Sequence, residues 1–138
     1  LPRLQALGSR IPPGQLVLDL SCRRRGGDYV VACNRWQNDT SLLLKRSTLQ
    51  QLSAFCSEFL IHAVDVEGKQ SGIDLGLVEM LARDCPLPVT YAGGIRSLDD
   101  LETIRKTGQG RIDFTVGSAL DIFGGKLLRF ADLCQYCP

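Results

Sequence analysis

Two stretches, Val89–Ile95 (VTYAGGI) and Phe114–Ala119 (FTVGSA), decide the fold prediction. Each starts with residues typical of a buried strand and continues into small residues that leave the backbone accessible. The stretches lie about one strand–helix unit apart, so parallel strands would bring both turns to the same edge of a sheet. Exposed main-chain N–H groups in such turns bind phosphate. The sequence therefore predicts a phosphate site at Gly93, Gly94, Gly117 and Ser118.

Strand-like and helix-like segments alternate along the rest of the chain. Apolar runs predict strands at 16–20, 29–33, 59–64, 89–92 and 112–116, and the second of these forms a hairpin with the first around Gly26-Gly27-Asp28. Helices are predicted at 48–58, 74–85, 97–108 and 127–136, with Ser47 or Thr48 and Asp74 as caps and Ser97–Asp100 as the opening of the third. Their predicted inward-facing residues include Leu75, Leu77, Val78, Leu81, Leu98, Leu101 and Ile104. This alternation indicates an α/β fold with parallel strands and helical crossovers.

The length of the chain, 138 residues, is about half of the roughly 250 residues of a complete (βα)8 barrel. We therefore predict a TIM-type (β/α) half-barrel that forms one domain over residues 1–138. Four parallel strands do not close a barrel, and they would leave two unpaired edges and an apolar sheet face open to water. The other half is expected to come from an N-terminal segment, a second chain or a second copy of this chain.

Composition narrows the classes of partner. A net charge of +1 gives no reason to expect nucleic acid or a membrane surface, and no apolar run approaches the ~18 residues of a membrane helix. Cys22, Cys33 and Cys56 lie in apolar surroundings and are predicted to be buried free thiols. Cys134 and Cys137 form a lone pair with no second pair or nearby histidine, so we predict no metal site there.

Six stretches carry a family resemblance: Leu16–Cys22 (LVLDLSC), Arg35–Gln37 (RWQ), Phe59–Gly68 (FLIHAVDVEG), Ser71–Asp74 (SGID), Tyr91–Gly94 (YAGG) and Thr115–Gly125 (TVGSALDIFGG). Together they resemble the C-terminal half of the histidine-biosynthesis isomerases that convert ProFAR to PRFAR by an Amadori rearrangement, especially the plant and algal branch. The family fold is a TIM barrel, so the resemblance implies strands five to eight, with an extra hairpin after the first of them. It also implies a phosphorylated ribosyl-imidazole substrate, no metal or redox cofactor, and a location in the cytoplasm or plastid stroma.

Asp19 and His62 are the catalytic candidates. Asp19 follows three aliphatic residues at the predicted end of a strand, and the resemblance implies that it is the acid that opens the ribose ring. The alternative is a carboxylate that caps the following hairpin. The family's second aspartate belongs to the first strand, which this sequence does not contain. His62, the only histidine, falls where bacterial relatives carry a threonine that supports catalysis, and the alternative is a core histidine with satisfied hydrogen bonds.

Further candidates come from the loops. The resemblance implies that Trp36 stacks on the imidazole-carboxamide of the substrate and that Arg35 contacts its oxygens, although Trp36 also fits a residue that closes the hairpin. Asp65 and Glu67 are candidate substrate ligands or else solvated carboxylates, and Glu67 stands where the family has an aspartate. Gly68 is a further phosphate candidate. For all the glycines the alternative is a tight strand-to-helix turn.

Two other functions compete with the isomerase. One is a non-catalytic half-barrel that acts as a structural or assembly subunit. The other is half of the sister cyclase, imidazole glycerol phosphate synthase, which needs a glutaminase partner. The Arg35–Gln37 hairpin and the LDIFGG segment at Leu120–Gly125 favour the isomerase over the cyclase.

Overall fold

A computed structural model describes residues 2–136. Its strands are Val17–Arg25 (β1), Asp28–Cys33 (β2), Asn38–Leu43 (β3), Glu58–Ala63 (β4), Val89–Ala92 (β5) and Ile112–Thr115 (β6). Its α-helices are Pro2–Gly8 (α1), Arg46–Leu52 (α2), Leu75–Asp84 (α3), Leu98–Thr107 (α4) and Phe130–Tyr136 (α5). Short 3₁₀ helices occupy Pro13–Gln15, Ser53–Phe55 and Asp121–Phe123. The strands form one sheet in the order β3-β2-β1-β4-β5-β6.

The four strands β1, β4, β5 and β6 run parallel, as the alternating sequence pattern predicts. Their register pairs Leu20 with Ile61, Ile61 with Tyr91, and Tyr91 with Phe114, so these side chains share one face of the sheet. Burial alternates along β4 with the same period of two. The α/β class with a mainly parallel sheet is therefore confirmed.

Helices α3 and α4 cover the apolar face of this sheet. Leu77 and Leu101 are fully buried together with Phe59, Ile61 and Tyr91 of the strands. The predicted Asp74 cap is confirmed, because its side chain accepts a hydrogen bond from the N–H of Leu77. Ser97 stands just before α4, near the predicted start of the helix, and its side chain accepts from the N–H of Asp100. Two predicted inward residues, Leu75 and Leu98, are instead exposed. Each is the first residue of its helix, and burial begins only at Leu77 and Leu101.

The segment between β1 and β4 differs most from the sequence prediction. The hairpin at Gly26-Gly27 is confirmed, but β3 follows it as a third antiparallel strand that the sequence pattern did not indicate. Its residues Asn38–Ser41 are polar because β3 is an outer, largely exposed edge strand. Helix α2 begins at Arg46 without a side-chain cap, so the predicted caps at Ser47 and Thr48 are wrong. Helix α2 ends at Leu52 and not at the predicted residue 58, and α5 begins at Phe130 and not at the predicted residue 127.

The second face of the sheet is open, and it is polar. Register pairs place Asp19 with Leu60 and Ser21 with His62 on this face, and Thr90 with Asp113 beyond them. The predicted apolar open face is therefore wrong, because strand residues on this side are mostly polar. A polar surface of this kind tolerates water without a covering layer of helices.

Both edges of the parallel sheet keep free hydrogen-bonding groups among the described residues. The β2 strand pairs only with the last part of β1, from Cys22 to Arg25, so Val17–Ser21 has a strand neighbour on one side only. On the opposite edge, β6 pairs with β5 alone. These two edges stand where a continuing parallel sheet would add strands.

The cysteines differ in how far they are exposed to solvent. Cys22 and Cys56 are buried as predicted, and burial raises the pKa of the Cys22 thiol to about 12. Cys33 is exposed, contrary to prediction, because it ends β2 at the hairpin turn. Cys134 is also exposed, and Cys137 lies outside the described residues. In the region from residue 2 to residue 136, no helix is long and apolar enough to cross a membrane.

Candidate active site

The open face carries a close pair of ionisable groups. His62 Nδ1 and Asp19 Oδ1 are joined by a 2.8 Å hydrogen bond. The two residues stand on neighbouring strands: Leu60 is the register partner of Asp19, and His62 lies two residues further along β4, on the same face. The Asp19 side chain is 55% exposed and that of His62 24%, so both remain accessible from the open face. The Asp19 carboxylate is thus accessible to a ligand while the imidazole fixes its orientation.

Asp19 does not stand at a strand end, where the sequence pattern put it. It is the third residue of the nine-residue strand β1, which continues into the hairpin as far as Arg25. Its partner is His62 and not a group of the hairpin, so the alternative interpretation of Asp19 as a hairpin cap does not describe this carboxylate. The position still belongs to the open face, because β1 pairs with β4 there in parallel register.

A cavity of about 140 Å³ lies beside this pair. Its lining includes the two glycine turns that follow β5 and β6, together with side chains from β4 and the loop after it. The lining residues that matter most are His62, Glu67, Gly93, Gly94, Gly117 and Ser118. The structure therefore brings four of the five predicted phosphate ligands to one small cavity, and His62 joins that cavity to Asp19.

The backbone of the two turns suits an anion. Among the described residues, the N–H groups of Gly94, Gly117 and Ser118 donate no hydrogen bond to another protein atom. Free main-chain donors that converge on a small cavity favour phosphate oxygens. The N-terminus of α4 plays no part in the lining: Ser97 already accepts from Asp100, and Asp100 accepts from the N–H of Arg96. The two turns, Gly93–Gly94 and Gly117–Ser118, thus form a cradle of loop backbone, which we call the glycine cradle.

Gly94 is held by close packing behind the cavity. Its φ is +71°, a left-handed conformation that favours glycine. An added Cβ would overlap the carbonyl oxygen of Gly72 and come within 2.9 Å of the Cβ of Val66. Gly72 in turn donates its N–H to the Gly94 carbonyl at 3.0 Å. The loop after β4 and the turn after β5 therefore touch backbone to backbone, which fixes the shape of the cradle.

Gln70 ties the loop after β4 to the second glycine turn, although the sequence did not single it out. Its side-chain amide donates to the Ser118 carbonyl at 2.7 Å. This bond links the loop after β4 to the turn after β6, 48 residues away. Gln70 has a φ of +51°, which is uncommon for a residue other than glycine. The local sequence gives no sign of this role, because the backbone conformation of Gln70 is known only from the structure.

Trp36 reaches the open face from the β2–β3 turn. Its indole Nε1–H donates to Ser21 Oγ at 2.9 Å, and the Ser21 residue is the register partner of His62. Asn34, Arg35 and Trp36 have φ values of 52°, 55° and 66°. A left-handed conformation costs a non-glycine residue roughly 1–2 kcal/mol, so the turn needs outside contacts to persist. Arg35 is exposed at the tip of the same turn.

The remaining candidate residues differ in whether they line the cavity. Glu67 lines the cavity, and one of its carboxylate oxygens lies 3.3 Å from where a Cβ on Gly93 would stand. Asp65 is engaged elsewhere: its carboxylate accepts from the N–H of Arg24 at 2.8 Å and lies 3.6 Å from Nε of Arg23. Gly68 has a φ of +70° and lies outside the cavity lining. Within residues 2–136, no group of three or more His, Cys, Asp or Glu side chains is arranged to hold a metal ion.

Gly117 offers a test of the phosphate cradle that leaves the fold alone. A Cβ at Gly117 would meet no atom within 4 Å, and its φ is outside the left-handed region. We expect Gly117→Val to weaken binding of inorganic phosphate by about tenfold or more, which is about 1.4 kcal/mol, because the added side chain occupies space at the cavity. An NMR titration measures the affinity, and urea unfolding measures the stability.

The matched control for this test is Gly14→Val. Gly14 also has open space around it and an ordinary φ, but it lies in the 3₁₀ helix before β1. Both variants should unfold like the parent chain, and only Gly117→Val should lose phosphate. Equal phosphate affinity in the two variants would place the anion site elsewhere.

Comparison with known proteins identifies the family of the chain. Residues 2–127 match the family model described as histidine biosynthesis protein, and the chain belongs to that family. A chloroplastic relative from Medicago truncatula is 50% identical over 127 residues, which are 92% of this chain and 41% of the relative. One from Neurospora crassa is 54% identical over 113 residues (81% and 44%), and one from Saccharomyces cerevisiae is 44% identical over 141 residues (99% and 54%).

All three relatives carry the name 1-(5-phosphoribosyl)-5-((5-phosphoribosylamino)methylideneamino)imidazole-4-carboxamide isomerase. The family resemblance predicted from the sequence is therefore confirmed, and it includes a plant relative. These names favour neither the structural subunit nor the sister cyclase. The chain spans about half the length of the curated relatives it matches.

Proposed function

We propose that this chain is the C-terminal half of a (βα)8 barrel, with β1, β4, β5 and β6 as barrel strands five to eight and the β2–β3 hairpin as an insertion after the first. Three observations support the proposal. The parallel strands leave edges at Val17–Ser21 and at β6 without a strand neighbour among the described residues. Helices cover only one face, and the other face is polar. The curated relatives are about twice as long.

The missing half would come from an N-terminal half-barrel or from a second copy of this chain. A strand added beside Val17–Ser21 and another beside β6 would satisfy both edges and enclose the open face. The polar residues on that face would then line the interior of a closed barrel near its mouth. We propose the plastid stroma or the cytoplasm as the compartment, and the chloroplastic relative from Medicago truncatula supports the first of these.

The proposed activity is the Amadori rearrangement of ProFAR to PRFAR. The observation that carries it is the Asp19–His62 hydrogen bond beside the glycine cradle, since this reaction needs a proton donor next to a ribosyl phosphate. The cradle would bind one phosphate of the substrate through Gly93, Gly94, Gly117 and Ser118. No redox cofactor is needed for the covalent change, because it only relocates protons and bonds.

In the first step, protonated Asp19 would donate its proton to the ribose ring oxygen while the bond from that oxygen to C1 breaks. The lone pair of the nitrogen attached to C1 then forms a C=N bond, and Asp19 becomes a carboxylate. His62 orients Asp19 and its N–H stabilises the new negative charge. A second group must then take the proton from C2 and deliver it to C1, while the proton of the 2-hydroxyl returns to Asp19 as C2 becomes a carbonyl. By family resemblance this group is the first-strand aspartate of the other half.

Three loop residues complete the proposed substrate site. Trp36 would stack on the imidazole-carboxamide, which is worth about 0.5–1.5 kcal/mol beyond burial. Arg35, exposed at the tip of the same turn, would contact substrate oxygens. Glu67, which lines the same cavity, would accept hydrogen bonds from the ribose hydroxyl groups. Asp65 and Gly68 support the loop after β4, and their effect on the substrate would be indirect because they lie outside the cavity.

Reconstitution tests this function. We expect no isomerase turnover from this chain alone or from the N-terminal half of the Medicago relative alone, and measurable turnover when the two are mixed, because each half supplies one acid/base group and one phosphate site. Light scattering on the same mixture reports whether the halves associate. Association without turnover would contradict the isomerase, and failure to associate would contradict the half-barrel.

A further inference from the structure

The turn that carries Trp36 is held down by two residues that no part of the proposed chemistry uses. Ser21 Oγ accepts the indole N–H of Trp36 at 2.9 Å, and Arg23 Nη2 donates to the main-chain carbonyl of Trp36 at 2.9 Å. One contact fixes the ring and the other fixes the backbone. Both partners come from β1, two residues apart, so they rise from the same face of one strand.

Arg23 reaches beyond the turn. Its Nη1 donates to Asp39 of β3 at 3.3 Å, and its Nε lies 3.6 Å from Asp65 in the loop after β4. The planar guanidinium thus joins β3, the Trp36 turn and the β4 loop in one contact centre. Its side chain is only 21% exposed, which agrees with a fixed position. A lysine has one charged head and lacks this fork.

These contacts decide where the indole lies. Ser21 is the register partner of His62, and the Asp19 side chain adjoins it on the same face. A Trp36 ring bound to Ser21 is therefore kept beside the acid/base pair. The turn has three consecutive left-handed residues, so it has no strong backbone preference of its own for this shape. Loss of either contact lets the turn relax away from the open face.

We propose that Ser21 and Arg23 are positioning residues that hold Trp36 beside the Asp19–His62 pair before substrate arrives. The role in turnover rests on the proposed isomerase function, whereas the position of the indole does not. Neither residue touches the reacting atoms. Pre-set placement of a stacking ring reduces the ordering needed on binding, so these residues act on substrate affinity more than on the chemical step.

The chain offers a direct readout, because Trp36 is its only tryptophan. In the chain without ligand, we expect Ser21→Ala and Arg23→Met to raise acrylamide quenching of tryptophan fluorescence by about twofold and to shift the emission to longer wavelength, since local release exposes the indole. Ser21→Thr keeps the hydroxyl acceptor and should restore the parent spectrum. Far-UV circular dichroism should stay unchanged in all three variants.

Arg25→Met is the matched control. Arg25 binds the same Asp39 at 2.7 Å but does not contact Trp36, so its loss should leave the fluorescence unchanged. Parent-like quenching in both Ser21→Ala and Arg23→Met would overturn the proposal, and so would an equal change in Arg25→Met. These outcomes are independent of any enzyme assay.

The reconstituted isomerase gives the second readout. We expect Ser21→Ala and Arg23→Met to raise KM by about tenfold and to change kcat by less than about threefold, as loss of pre-set binding does. An unchanged KM together with changed fluorescence would overturn the role in substrate binding. Absence of turnover in the parent mixture would instead overturn the isomerase assignment, while the fluorescence result still decides how Trp36 is held.

Discussion

Asp19→Asn should lower the turnover of the reconstituted isomerase by about 10²- to 10⁴-fold, the usual contribution of a positioned general acid. Asparagine keeps the size of the side chain and a hydrogen bond to His62, but it carries no transferable proton. Substrate binding should remain measurable because the glycine cradle is untouched. The effect should therefore appear in kcat, with KM changed much less. Steady-state kinetics of the mixed halves measures both parameters.

Asp113→Asn is the appropriate control for this variant. Asp113 is an exposed carboxylate in β6 and belongs to the same open face through its register with Thr90. It lies outside the cavity lining and outside the Asp19–His62 pair. A comparable loss in both variants would mean that general charge on this face matters more than the particular carboxylate. Near-normal turnover of Asp19→Asn would remove Asp19 from the mechanism.

Gly94→Ala should be the most destabilising single substitution in the cradle. The methyl group would overlap the Gly72 carbonyl oxygen, and the residue would have to stay at a φ of +71°. Left-handed strain of roughly 1–2 kcal/mol and overpacking of about 1–3 kcal/mol together give a loss of about 2–5 kcal/mol. That is a large share of the stability of a small domain. Urea unfolding followed by circular dichroism measures the loss.

Gly110→Ala separates the two causes of that loss. Gly110 has nearly the same φ, +69°, but an added Cβ there would meet no atom within 4 Å. It should lose only the strain contribution, about 1–2 kcal/mol. Equal losses at the two positions would show that the contact between Gly94 and Gly72 does not constrain the cradle. Phosphate binding by Gly94→Ala is not a clean test, because the Cβ faces the packing behind the cavity.

The sequence predicts the parallel strands well because their local signals agree. The runs at Glu58–Ala63 and Val89–Ala92 are short and apolar on one face, and the Asp74 cap and Pro86 mark the ends of the helix between them. The two glycine turns also follow from this pattern, since parallel strands must place them together. Register then brings His62 to the same edge.

Other features depend on contacts that no local pattern encodes. Strand β3 is polar on an exposed edge and forms by pairing with β2, so it lacks the apolar alternation that marks a strand. The hydrogen bond of Asp19 to His62 spans 43 residues, and that of Gln70 to Ser118 spans 48. The close approach of Gly72 to Gly94 likewise depends on how two loops meet.

Ser21 and Arg23 show the same limit at the site itself. In the sequence they stand in a polar, basic continuation of the first strand, where a solvated turn beside Gly26-Gly27 is the ordinary interpretation. The structure shows instead that β1 runs on to Arg25 and that the hairpin folds back over it. Their contacts with Trp36 exist only because of that fold-back.

An NMR titration of the ¹⁵N-labelled chain with ribose 5-phosphate tests the central claim, that an acid/base pair and a phosphate cradle share one half-site. The account predicts that the amide signals of Gly94, Gly117 and Ser118 and the ring signals of His62 shift together and fit one dissociation constant. Signals of Gly14 and Gly27, which lie outside the cavity, should stay fixed. Saturable shifts confined to other residues, or no shifts at the cradle, would contradict the account.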